Sequence, residues 1–378
     1  MRKIRILHTE WSDGWGGQEM RILAEMKGFM AQNFKIAQDD NACLIECELA
    51  CKNGTKIANY ALNAGFVVHY LPFKSKFDLK SIFSLAKLLK ERKIDILNTH
   101  SGIDSWCGIL ASKLANVRSI RTRHLSAPIN PSRLNFINEL ADFVLTTGKG
   151  VKDAMIANNR INPNKIASIP TGIDESVFAP NLYDKNECKS AFNLPKNAVI
   201  IGSLGVLRSV KNQQMLLNAI LEIHKIHKNI YFILAGDGPK KDDLERFINE
   251  NKMNAYTKLI GHINEPAKFL CALDIFVLSS KNEGVPQALA QALFMQKACL
   301  STDVGSIKDL YDGSNFILYE NSLNALISAL DGLLSKPDSI KNLSQNPQNF
   351  VRQNFSLEQM CAKLKNIYLK LSKIKGKK

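Results

Sequence analysis

A carboxylate, Glu283, sits in the stretch Ser279-Ser280-Lys281-Asn282-Glu283-Gly284-Val285-Pro286-Gln287-Ala288-Leu289-Ala290-Gln291, directly after the apolar run IFVL. The run reads as a buried strand and the polar turn as its exit. Pro286 suits the first turn of a following helix, where a missing N–H is no loss. Such a helix start, from Pro286 and Gln287 to Ala288, turns unpaired N–H groups toward any phosphate placed before it. Glu283 precedes the helix and Gln291 lies within it, so one ligand would meet the first near one end and the second near the other.

Three more stretches carry chemistry. In Gly202 to Asn212, GSLGVLRSVKN, Arg208 and Lys211 stand where two cations and backbone amides can converge on a diphosphate. A solvated basic loop is the plainer alternative. In Asn98-Thr99-His100-Ser101-Gly102, a histidine at a strand's carboxyl end can hydrogen-bond a hydroxyl or move a proton, or be satisfied within its own loop. In Asp13-Gly14-Trp15-Gly16-Gly17-Gln18-Glu19, Gly16 and Gly17 permit close approach of a ligand to the backbone, although the spacing is not GxGxxG and a tight turn fits equally.

These stretches need strands behind them. Short β-branched runs alternate with helical patterns throughout, the signature of βα units wound into parallel sheets. Strands are expected near Ile4 to His8, Cys43 to Ala50, Val67 to Leu71, Ile94 to Asn98, Arg118 to Thr122, Phe143 to Thr146 and Lys165 to Ile169. After the Pro- and Gly-punctuated PTGIDESVFAPN the pattern restarts, near Ala198 to Ser203, Ile230 to Ala235, Lys258 to Ile260, Ile275 to Leu278 and Ala298 to Ser301. The expectation is α/β: a Rossmann-like domain over 1–178, a second over 179–354, a cleft between them, and a helix with a basic tail over 355–378. Phe355, Leu357, Met360, Leu364, Ile367, Tyr368 and Leu371 form an apolar stripe for docking that helix on the first domain. Loops beyond the carboxyl ends of such strands are where open parallel sheets bind ligands.

The 378 residues, 45% hydrophobic and 22% charged, fit two folded cores and exclude a disordered chain. No apolar run approaches the roughly 20 residues of a membrane-spanning helix, and MRKIRILHTEW reads as a first strand, which makes the cytoplasm the expected location. Eight cysteines without CxxC or Cys/His spacing argue for reduced thiols and no metal. Cys43, Cys47 and Cys51 share a strand face with Ile45 and Leu49, as small core residues would. Fifty Lys and Arg against 35 Asp and Glu give a formal charge of +15, an affinity for anions that by itself does not separate phosphate, membrane and nucleic acid.

In order, PTGIDESVFAP, ILAGDGPKKDDLE, IGHINEPAKFLCALDIFVLSS and EGVPQALAQALFMQKACLSTDVGSIKDL resemble the family 4 glycosyltransferases, retaining enzymes of the GT-B fold, over nearly the whole chain. The resemblance implies a nucleotide-sugar donor, no cofactor and no metal. It maps the family's diphosphate-binding Arg and Lys onto Arg208 and Lys211, with Val206 standing where Arg is commoner. It maps the family's glutamate pair onto Glu283, near the transferred sugar, and Gln291, near the ribose. There an amide accepts from one hydroxyl and donates to the other without the gain of a charge, a difference on the order of 1 kcal/mol. His100 fits the histidine near the sugar, and Gly16 and Gly17 fit the acceptor-side loop. Gly284, Pro286, Gln287 and Ala288 belong to the donor site, while Asp237 reads as a structural turn residue.

The function so implied is transfer of a hexosyl or heptosyl unit, with retention, to a glycan or lipid-linked acceptor of the lipopolysaccharide or cell-surface type. The charge adds an anionic membrane face as a partner, with FKSKFDLKSIFSLAKLLKERK as an amphipathic helix with a basic flank or simply a domain helix with a wet face. Nucleic acid is not expected. A nucleotide-sugar epimerase of the same fold and a non-catalytic nucleic-acid-binding protein are the two alternatives.

Overall fold

The computed structural model describes residues 2–36, 43–124, 136–336, 338–345 and 347–373. They form two compact units, one of residues 1–172 with 357–378 and one of residues 173–356. The basic tail beyond Lys373 lies outside the described residues.

The first unit is a seven-stranded parallel sheet. Its strands are β1 (Arg2–Glu10), β2 (Cys43–Cys51), β3 (Val68–Tyr70), β4 (Ile96–Thr99), β5 (Arg118–Arg123), β6 (Phe143–Thr146) and β7 (Ile166–Ser168). They lie in the order β3-β2-β1-β4-β5-β6-β7. Parallel strands need helical crossovers that cover both faces, so the strands are apolar on both sides. In β1, Ile4 and Ile6 pack into one core with Ile45, Ile96 and Ile120, while Leu7 enters a core on the opposite face with Leu85 and Leu97. In β2, Cys43, Cys47 and Cys51 line apolar clusters with Ile45 and Leu49, the small core residues that their spacing implies.

The second unit is a six-stranded parallel sheet of β8 (Val199–Leu204), β9 (Ile230–Ala235), β10 (Thr257–Gly261), β11 (Ile275–Leu278), β12 (Ala298–Thr302) and β13 (Ile317–Tyr319), in the order β10-β9-β8-β11-β12-β13. Ile200, Ile233, Phe276 and Leu278 face one core, and Ile201, Phe232, Ile275 and Val277 face the other. The edge strand β13 has no counterpart among the strands read from the sequence. At three residues it is too short to display a period. Both sheets are therefore doubly wound and Rossmann-like, as expected.

The terminal helix Leu357–Lys373 belongs to the first unit, where Met360, Cys361, Leu364, Tyr368 and Leu371 are buried against the Ile4, Ile6 and Ile96 core. Each such apolar side chain contributes roughly 1.5–3 kcal/mol. Phe355, included in the same apolar stripe by its spacing, lies instead in the core of the second unit. The terminal helix meets the Gly17–Ile36 helix at Gly28, where an added Cβ would stand 2.5 Å from Cys361 Sγ and 3.1 Å from Leu357 Cγ. A β-branched residue there must push the helices apart. Gly28→Val is therefore expected to destabilise the first unit by roughly 1–3 kcal/mol, the usual cost of overpacking, as read by chemical or thermal unfolding.

Candidate active site

In each sheet the chain runs one way from the first strand and returns to extend the other side. The point of reversal lies between β1 and β4 in the first unit and between β8 and β11 in the second. Loops leaving such a pair diverge, and the opening they leave is where doubly wound sheets hold ligands. Every stretch singled out for its chemistry meets one of these two points.

In the second unit the loops after β9, β8 and β11, neighbours in the sheet, are tied together through their backbones. Gly205 N–H donates to Ala235 O at 3.0 Å, Leu207 N–H to Asp237 O at 2.9 Å, and Lys240 N–H to Leu207 O at 3.0 Å. Gly236, with φ near 142°, permits the approach, because a Cβ there would lie 1.9 Å from Gly205 O. Asp237 accepts from Gly238 N–H at 2.8 Å and so closes its own turn, the structural part its position suggests. On the other side Lys281 N–H donates to Val210 O at 2.8 Å, and Ser279 Oγ donates to Lys211 O and Asn212 O, both at 3.1 Å.

This scaffold brings Lys211 and Glu283 together. Lys211 Nζ stands 2.5 Å from Glu283 Oε1, and Ser280 Oγ donates to the same oxygen at 2.6 Å. Glu283 is buried and Lys211 half-buried, so the pair is neither a free surface contact nor an isolated interior charge. Behind it Gly305, with φ near 58°, admits the Glu283 carbonyl, which a Cβ would meet at 1.9 Å, and Ser306 N–H donates to that carbonyl at 3.2 Å. Arg208 is exposed on the loop after β8. Gly284 is half-buried on the way to the helix Gln287–Phe294, and Gln291 is buried one turn past Gln287. Pro286 is the N-cap of this helix and not a first-turn residue, with backbone angles of −73° and 116°. The helix begins one residue later than the sequence suggests, and the Pro286 ring makes no capping hydrogen bond to it.

In the first unit the carboxyl ends of β1 and β4 are joined by acidic side chains. Glu10 Oε1 accepts from Trp11 N–H at 2.9 Å, Ser12 N–H at 2.8 Å and Ser101 Oγ at 3.0 Å, and Gln18 Nε2 donates to Glu10 Oε2. Asp104 accepts from His100 N–H at 2.9 Å, Ser101 N–H at 2.9 Å and Thr9 Oγ1 at 2.8 Å. The turn holding Gly16 and Gly17 is therefore anchored from β1: Gly16 N–H donates to Glu19 Oε2 at 2.8 Å, and Gly17 opens the first helix. Neither glycine adopts a positive φ.

His100 is inside the protein, 1% exposed. Its Nε2 lies 2.9 Å from His8 Nδ1 and its Nδ1 2.9 Å from His124 Nε2, so both ring nitrogens are engaged by other histidines. The half-buried ring at the end of this row is His124, the residue following β5. Burial pushes all three imidazoles below their ordinary range, with like-charge effects of Arg21 and Arg121 adding at His100 and His124. Sequence reasoning singled out only His100. The missed signal is that three of the seven histidines close or directly follow β1, β4 and β5, in HTE, NTHS and RTRH. His8 also falls on the inward face shared by Ile4 and Ile6.

Among the described residues no group of His, Cys, Asp and Glu has the makeup of a metal site, and no helix is long and apolar enough to cross a membrane.

Two Rossmann-like units with these loops at their points of reversal have the architecture of the GT-B class, and similarity to known proteins makes the chain a sugar-transferring enzyme. The family described as Glycosyltransferase Family 4 matches residues 44–177, and that described as Glycosyl transferases group 1 matches residues 195–336. The chain belongs to the family 4 glycosyltransferases. It is 27% identical to the Escherichia coli UDP-Gal:alpha-D-GlcNAc-diphosphoundecaprenol alpha-1,3-galactosyltransferase, with 97% of each chain covered. It is 26% identical to the Staphylococcus aureus capsular polysaccharide biosynthesis glycosyltransferase CapH, over 97% of this chain and 99% of CapH. Among solved structures it resembles a Rickettsia africae glycosyltransferase (TM-score 0.85, 19% identity, 99% and 100% coverage) and Anabaena HepE in complex with UDP (TM-score 0.82, 16% identity, 97% and 100% coverage).

Burial, reinforced by the nearby charge of Asp104, raises Glu10 from 4.5 to about 8. A carboxyl raised on folding holds its proton in the native state after the unfolded chain has lost it, so stability falls as pH rises from about 4.5 to 8. Glu10→Gln is expected to flatten this alkaline decline in melting temperature. The acid limb is expected to remain in the variant, because the three histidines, held neutral in the fold, take up protons on unfolding below about 6.5.

Proposed function

We propose that the enzyme transfers a sugar from a UDP-sugar to a saccharide carried on a lipid diphosphate, during assembly of a cell-surface polysaccharide. The observation that carries this reading is the Lys211–Glu283 pair, held at the reversal point of a glycosyltransferase domain beside a helix whose N-cap, Pro286, makes no side-chain capping hydrogen bond. The end-to-end similarity to a galactosyltransferase acting on a diphosphoundecaprenol-linked sugar, and the fold shared with a UDP complex, support the choice of acceptor and donor.

In this reading the arriving diphosphate takes Lys211 as its counter-charge, with Arg208 and the N–H groups of Gln287 and Ala288 as further donors. Glu283, released from the lysine and still held by Ser280, orients the donor sugar, while Gly284 and Pro286 shape the turn. Gln291 hydrogen-bonds the ribose. The developing charge on the leaving diphosphate is then met by groups fixed beforehand, which is the largest effect available to such a site. At the reversal point of the first unit the Gly16–Gly17 turn serves the acceptor side, and His100, with both ring nitrogens engaged, acts there through His124. Retention follows if the acceptor hydroxyl attacks on the face the diphosphate leaves, giving its proton to a diphosphate oxygen.

A panel of UDP-, GDP- and ADP-sugars tested by thermal shift is expected to give stabilisation by a UDP-sugar, about 2.7 kcal/mol at a hundredfold excess over Kd. Glu283→Gln is expected to lower kcat on the order of 10²–10³-fold with the melting temperature nearly unchanged, since the side chain positions charge and does not fill a core. No stabilisation by any donor, or an unimpaired variant, contradicts the reading. Turnover of the donor without acceptor would instead favour an epimerase.

A lipid-linked acceptor places the enzyme at a membrane face. The helix Leu79–Glu91 buries Ile82, Leu85 and Leu89 and leaves Phe83, Leu79 and the preceding Phe77 each more than 60% exposed among Lys76, Lys80 and Lys87. Exposed aromatics within a basic rim suit an anionic bilayer surface. Binding to anionic vesicles that weakens with salt and is lost in Phe77→Ser/Phe83→Ser is expected in a flotation assay, while absence of binding at low ionic strength removes the membrane proposal.

A further inference from the structure

The three histidines are one end of a longer buried row. Behind His8, Nε2 faces Glu25 Oε1 at 3.7 Å with no hydrogen-bond partner of its own among the described residues. Glu25 accepts from Tyr368 Oη at that same oxygen, and its Oε2 lies 3.9 Å from Arg21 Nε. His8, Arg21, Glu25 and Tyr368 are all fully buried. Arg21 is fixed independently by donating to Ile169 O at 2.8 Å. A guanidinium enclosed in this way keeps its proton and demands a counter-charge. Among the described residues Glu25 is the carboxylate within ion-pair distance of it, and a carboxylate is an acceptor at both oxygens.

We propose that Glu25 is a positioning residue that fixes the direction of every hydrogen bond in the His8–His100–His124 row. A carboxylate facing His8 Nε2 favours a proton on that nitrogen and disfavours a bare lone pair. The proton on Nε2 leaves His8 Nδ1 an acceptor. A neutral imidazole has one donor and one acceptor, so the choice propagates. His100 must donate from Nε2 to His8 and accept at Nδ1, and His124 must donate from Nε2 to His100. His124 Nδ1 is then a lone pair, an acceptor presented beyond the end of β5. The reverse direction would set the His8 Nε2 lone pair against the Glu25 carboxylate. Burial keeps all three rings neutral at neutral pH, as the alternation requires. The consequence for the reaction rests on the transferase reading: the acceptor side of the enzyme would meet a hydroxyl with a hydrogen-bond acceptor and not with an N–H donor. The tautomer pattern itself does not depend on that reading.

The test is ¹⁵N NMR of full-length protein labelled at its histidine rings, with the seven histidines assigned by single substitution. At neutral pH His8, His100 and His124 are expected to show a protonated Nε2 and a bare Nδ1. A protonated Nδ1 at any of the three, or a doubly protonated ring, overturns the proposal. In Glu25→Gln, whose amide can either donate or accept, His100 and His124 are expected to lose the single pattern and show both tautomers. Should that variant not fold, His8→Asn keeps the Arg21–Glu25 pair, cuts the link, and must give the same mixture at His124. An unmixed pattern in a folded variant overturns the role of Glu25. Transfer assays on the same samples separate the two readings: absence of transfer with the pattern intact removes only the transferase interpretation, and transfer with the pattern wrong removes only this inference.

Discussion

A parallel sheet cannot return its chain by a hairpin, and this constraint organises both units. Each connection crosses a face of the sheet, so both faces are buried and all the loops that follow strands emerge on one edge. Where the winding reverses, between β1 and β4 or β8 and β11, neighbouring loops leave in opposite directions and no crossover covers the strand ends. Polar side chains placed there must satisfy one another. The chemistry of the two units is two solutions to this one problem.

The second unit solves it with charge. Lys211 and Glu283 come from loops on either side of the reversal, remain close to solvent, and neutralise each other at 2.5 Å. Their positions are set by backbone hydrogen bonds among three loops and by glycines at 236 and 305, where a side chain would meet a carbonyl. In the proposed transferase reading, such a cluster has its dipoles and charges aligned before a ligand arrives and needs little reorganisation when charge develops. The first unit solves it mostly without charge. Three neutral imidazoles can each give and take one hydrogen bond, which suits a row buried at His8 and His100 and half-buried at His124 better than ions would. The buried ion pair Arg21–Glu25 lies at the far end, against the terminal helix.

That terminal helix links fold and site. Tyr368, which reaches Glu25, lies on the same helical face as Met360, Leu364 and Leu371. The residues that pack the last helix on the sheet therefore also hold the carboxylate behind the histidines, although they follow the second unit in the chain.

The sequence by itself determined the two doubly wound sheets, because alternation of strand and helix patterns is local and repeats in every βα unit. It also singled out Glu283, Lys211 and the helix start, which fall within short stretches whose order along the chain carries a family resemblance. Tertiary structure decided the rest. The β13 edge strand is too short to show a period, and Phe355 goes to the second unit because the chain crosses between units just after it. Pro286 sits at the cap because its backbone is extended there and not helical. The partners of His100 were out of reach for a different reason. His8, Glu25, His124 and Tyr368 are scattered over most of the chain's length, and each alone reads as an ordinary polar residue. Only the strand order that sets β1 beside β4 and β4 beside β5, with the last helix packed behind them, joins them into one buried row whose hydrogen bonds are coupled by the chemistry of the imidazole ring.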